Sequence, residues 1–74
     1  MELSKLNELL LKVQNENEMF ELQSEDDIAL VHFVRGRFLF MLNGKGLFSL
    51  KKTAFKDKLM FQIEKRNLKL VEDE

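Results

Sequence analysis

The chain of 74 residues has no cysteine, proline, tryptophan or tyrosine, and only one histidine and three glycines. Without cysteine there is no disulfide, no thiolate zinc site and no thiol nucleophile. A single imidazole, His32, cannot build a histidine metal cluster. No stretch reaches the ~18 apolar residues of a membrane span. The N-terminus lacks the basic start and cleavage site of a signal peptide, since Glu2 and Ser4 precede a short amphipathic run. These absences predict a cytoplasmic protein with no metal, no cofactor and no membrane contact. Abundant Lys, Asn and Glu beside the missing residue types suit a low-GC bacterial or phage genome.

Catalysis has little to draw on. Ser4, Ser24, Ser49 and Thr53 are the only aliphatic hydroxyls, and no Gly-x-Ser-x-Gly elbow, phosphate-binding loop or His-Glu-x-x-His pair occurs. Gly44 and Gly46 flank Lys45 in what reads as a hairpin turn, not a phosphate cradle. Glu25-Asp26-Asp27 lacks the ligand spacing of a calcium loop and reads as a solvated connector. The expectation is a non-enzymatic protein.

What is present is a single small domain, residues 1–74, with an acidic tail at 72–74 expected to be disordered. A domain of this size buries only about 60% of its unfolded-chain surface. Small folds are usually reinforced by disulfides, a metal or oligomerisation, and the last is the aid left open.

Local patterning gives the elements. Leu3, Leu6, Leu10 and Val13 recur at helical spacing and predict a helix from about Ser4 to Asn15, with Ser4 as N-cap; Leu9 and Leu11 widen its apolar stripe. Met19 to Gln23 fits a short edge strand, and Ile28 to Val34 is a strand in which only His32 is polar. Arg35-Gly36 reads as a tight turn into Arg37–Leu42, and Asn43-Gly44 as a hairpin turn into Leu47–Lys51. Phe55, Leu59 and Ile63 lie four apart and predict a helix over 53–66, capped by Thr53 at its start and by Asn67 at its end. The alternation of Leu59, Phe61 and Ile63 also fits a further hairpin. Leu68–Val71 reads as a short extended tail. The predicted class is α+β: an N-terminal helix, a three- to four-stranded antiparallel meander and a C-terminal helix (α-β-β-β-α), with both helices on one sheet face.

The segment from Ile28 to Leu50 is apolar on both sides, whereas a half-solvated sheet alternates apolar with polar. A strict period of two puts Ala29, Val31, Phe33, Phe38, Phe40, Leu42 and Leu47 on one face. It puts Ile28, Leu30, Val34, Leu39, Met41, Phe48 and Leu50 on the other. Two short helices cannot shield both faces. The expected function is therefore a protein-interaction or regulatory module, a homodimer or the binder of another protein. Its contact surface would be Leu30, His32, Leu39, Met41, Phe48 and Leu50. On that face, His32 would make association sensitive to pH.

Charge supplies the alternative. Residues 1–34 carry eight acids against Lys5 and Lys12, and residues 35–69 carry ten bases against Asp57 and Glu64. Arg35, Arg37, Lys45, Lys51, Lys52, Lys56 and Lys58 are candidate contacts for an anion or a nucleic acid. Their rival reading is a solvated mixed surface, with the lysines paired to Glu16, Glu18 or Asp26. Phe38 and Phe40 lie beside Arg37, but an RNA-recognition strand has glycine between its aromatics where this one has Leu39. The seven phenylalanines read as core or interface instead.

Overall fold

In a computed structural model, described for residues 2–71, the chain forms α1 (Leu3–Glu16), β1 (Phe20–Gln23), β2 (Ile28–Val34), β3 (Arg37–Leu42), β4 (Lys45–Leu50), α2 (Lys52–Arg66) and β5 (Lys69–Leu70). The five strands make one antiparallel sheet in the order β4-β3-β2-β1-β5. The first four are a meander. α2 then carries the chain back across the sheet to its opposite edge. The expected extended tail at Leu68–Val71 thus supplies a fifth strand, which pairs outside β1, so β1 is not an edge. The acidic residues 72–74 lie outside the described residues.

Both hairpin turns have two central residues with positive φ: Arg35 (54°) with Gly36 (80°), and Asn43 (51°) with Gly44 (86°). That twist matches the right-handed twist of paired strands. It fixes the registers Val34↔Arg37 and Leu42↔Lys45.

The helix ends differ from the expectation. The N-cap of α1 is Glu2, two residues before Ser4; its carbonyl accepts from Leu6 N–H, and no side chain caps the helix. α2 likewise starts on Lys51 with no side-chain cap, and Thr53 falls inside its first turn. The far end of α2 follows the expectation. Asn67 takes the left-handed conformation, Leu68 N–H donates to the Ile63 carbonyl, and Leu68 folds into the core.

Leu6, Leu10 and Val13 of α1 and Phe55, Leu59 and Ile63 of α2 all pack on one sheet face, against Leu22, Ala29, Val31, Phe38, Phe40 and Leu42. Phe61 is 60% exposed, so the strand-like alternation at Leu59–Ile63 gives way to helical spacing. Phenylalanines run through the core in contact, Phe33–Phe38–Phe55–Phe48–Phe40, with centroids 4.9 to 5.4 Å apart.

A β-bulge corrects the expected facing of β4. Phe40 pairs with Phe48 while Met41 pairs with Gly46, which leaves Leu47 as the extra residue. Phe48 and Leu50 therefore turn to the helix-covered face and pack against the core. Leu47, expected inside, is 49% exposed. The physical gain is that two apolar side chains leave water at the cost of one irregular rung.

Candidate protein-interaction face

Both helices lie on the same side, so among the described residues no element covers the other face. Its centre is built by two registered pairs, Leu30↔Met41 and His32↔Leu39. Ile28 and Val34 extend the strip to the two ends of β2 and are exposed. On β4 the same face carries Gly46, opposite Met41, and Ser49, opposite Leu39. Leu39 leans over the glycine: a β-carbon built at Gly46 would sit 3.6 Å from Leu39 Cδ1. On the far side β1 contributes Glu21, opposite Leu30, and Gln23, opposite Ile28 and Lys69. Arg37 closes the end of β3 beside Val34.

The face thus has an uncharged middle and a charged rim. Leu30, His32, Leu39 and Met41 are half-buried by one another, since adjacent side chains on a pleated sheet shield their neighbours. Of the six residues expected to form the contact surface, the structure brings these four together. It sends Phe48 and Leu50 to the opposite side, for the register reason given above.

The seven basic candidates do not form one patch. The turn residue Arg35, Arg37 on the first rung of β3, and Lys51 and Lys52, which follow β4 into α2, share one end of the sheet. Lys45 sits at the opposite end, beside the Asn43-Gly44 turn. Lys56 Nζ donates to Asn7 Oδ1 on α1 at 3.2 Å, and Lys58 Nζ lies 5.7 Å from the Phe48 ring centroid. None of them pairs with Glu16, Glu18 or Asp26; the ion pair among the described residues is Arg66–Asp27, at 3.4 Å.

Asp27 is committed to structure. One carboxylate oxygen takes Arg66; the other accepts from Asn43 Nδ2 at 2.9 Å, while Asn43 Oδ1 accepts from Ile28 N–H. This knot ties the β1–β2 loop, the β3–β4 turn and the end of α2. Ser24 Oγ accepts from Asp27 N–H and closes the loop locally. A broad polar depression of about 850 Å³ beside it mixes Glu25 and Asp26 with Arg66 and Lys69 and converges on no single chemistry.

The chain matches no family model, no curated protein and no solved structure. No helix among the described residues is long and apolar enough to cross a membrane.

Sequence reasoning also missed Phe61 and Leu47 as exposed apolar groups. Phe61 was legible: on a helix it lies about 200° from Leu59, off the buried stripe. Leu47 was not, because nothing local announces the bulge.

Proposed function

We propose that the protein is a small non-enzymatic interaction module that self-associates through the open sheet face, and that it acts in the cytoplasm. The observation that carries this is the uncharged middle of that face, Leu30, His32, Leu39 and Met41, set in a rim of Glu21, Gln23 and Arg37. Interface centres are depleted of charge and favour methionine and large apolar groups, with a polar rim. A second copy is the occupant such a strip suits best. An apolar strip complements itself, whereas a charged patch would repel its own image. The need of a small disulfide-free domain for further burial points the same way.

The test is the solution mass of native protein and of Met41→Lys, by sedimentation equilibrium. The expected result is a mass approaching twice the 8.8 kDa chain for the native protein and a single-chain mass for the variant. A native protein that stays at one chain mass up to millimolar concentration overturns the reading. Met41 is half-buried on an open face, so the lysine stem can lie along the sheet with its ammonium in water and leave the fold intact.

A second reading, nucleic-acid binding, draws on Arg35, Arg37, Lys51 and Lys52 at one sheet end. It predicts a mobility shift with DNA or RNA at low salt that fades steeply as salt rises. No shift at low salt disposes of it.

A further inference from the structure

We propose that the free edge of β4, with the cleft beside it, is a separate docking site for an extended acidic polypeptide segment that carries one aromatic or branched aliphatic side chain. β4 is the outermost strand on its side, so the backbone groups it does not share with β3 face solvent. An incoming extended segment can pair with them, taking affinity from main-chain hydrogen bonds and specificity from pockets for alternate side chains. Such a pocket exists. Between β4 and α2 an open cleft of about 410 Å³ is lined by Phe48, Asp57, Lys58, Phe61 and Gln62. Phe48 also packs on the core, but Phe61, at 60% exposure, has no core role that accounts for an aromatic there. Every second side chain of an added strand points to the helix layer, and one of them would enter between Phe48 and Phe61.

Charge chooses the occupant. Lys45 opens β4 and Lys51 follows it; Lys58 Nζ lies 5.7 Å from the Phe48 centroid and Lys65 Nζ 5.8 Å from that of Phe61. Asp57 is the cleft's one acid. A second copy would bring its own Lys45, Lys51 and Lys58 to an edge that already carries those cations, and gathered like charge opposes association. A basic segment meets the same obstacle. An acidic segment meets complementary charge on both flanks of its anchor. The bulge at Leu47 interrupts the edge, so pairing is confined to Phe48–Leu50, the stretch beside the cleft. The ligand is accordingly a short linear stretch, not a long strand.

The experiment is selection of random nine-residue peptides, displayed on phage, against the immobilised full chain. A dye-labelled synthetic copy of the most enriched peptide then serves as the probe. The expected peptides hold one aromatic or branched aliphatic residue flanked by Asp or Glu. In amide-detected NMR the probe shifts resonances at Phe48–Leu50 and Asp57–Gln62. Phe61→Ser and Lys58→Glu each weaken binding about tenfold or more, whereas Met41→Lys on the open face leaves it unchanged. Both cleft residues are exposed, and circular dichroism checks that the variants fold. Three results overturn the proposal: no enrichment of acidic peptides over the unselected library, a probe that binds both cleft variants as tightly as native, or shifts confined to Leu30 and Leu39. If Phe61→Ser lowers the native mass and no acidic peptide binds, the edge belongs to a second copy and the proposal fails.

Discussion

Among the described residues, four other than glycine adopt positive φ, and three of them are asparagine: Asn17, Asn43 and Asn67. Asparagine tolerates this conformation better than other side chains, and it serves here twice as a helix C-cap and once in a hairpin turn. Arg35 is the exception, and a guanidinium side chain gains nothing from φ of 54°. Lys51 is a parallel case, a cation at the positive end of α2 where a capping oxygen would be preferred. Arg35→Asn is expected to stabilise the fold by about 0.5–1 kcal/mol and Lys51→Asp by about 1 kcal/mol, read as the midpoint of urea unfolding. If neither raises the midpoint, neither the positive φ at Arg35 nor the uncapped start at Lys51 costs stability. The second substitution should also weaken the acidic peptide, because it removes a flanking cation. Stability and recognition would then pull against each other at one residue.

At the scale of elements, the bulge is the decision that separates the two faces. Its removal makes a sharp forecast. Deleting Leu47 joins Gly46 directly to Phe48 and restores regular alternation from Met41↔Gly46 through Phe40↔Phe48 to Leu39↔Ser49. The shortened protein should fold, with a melting temperature no lower than native, and Phe48 should keep its ring stacked on Phe40. Loss of cooperative unfolding in that variant would mean that β4 runs in the straight register instead. The helices were easier to read, because each carries three buried residues at three- or four-residue spacing: Leu6, Leu10 and Val13, then Phe55, Leu59 and Ile63. Their starts were not, because Ser4 and Thr53 look like caps, whereas the helices begin on Glu2 and Lys51 with no side-chain cap. The candidate face was legible where it rests on β2 and β3, which are joined by a two-residue turn. It was not legible on β4, where one extra residue reverses every side chain beyond it.

For the whole molecule, the open face sets the strength of association. β2, β3 and β4, of six or seven residues, and the four-residue β1, rising ~3.3 Å per residue and set ~4.8 Å apart, give a plaque of at most roughly 20 Å by 20 Å. Its footprint is about half of the ~800 Å² per partner buried in a standard interface. Self-association by this face alone should therefore be weak, in the micromolar range or above, and visible as a mass that rises with concentration. Its centre is uncharged, so raising sodium chloride from about 0.05 M to 0.5 M should leave the dimer intact. The acidic peptide at β4 should weaken over the same range. A dimer that dissociates in salt would place the contact among the lysines and not on Leu30, Leu39 and Met41.

By itself the sequence determined the elements and the pairing of β2 with β3, because apolar spacing, Asn-Gly and Arg-Gly turns and a left-handed asparagine cap are local causes acting over a few residues. It also determined that more apolar sheet existed than two helices could cover. Only the tertiary structure decided that Phe48 and Leu50 go inside, that Leu68–Val71 adds a strand outside β1, and that the basic residues scatter over two ends of the sheet and one helix. Those outcomes depend on which side chains fill the space left by others around a shared core, and that competition is settled by packing among distant segments.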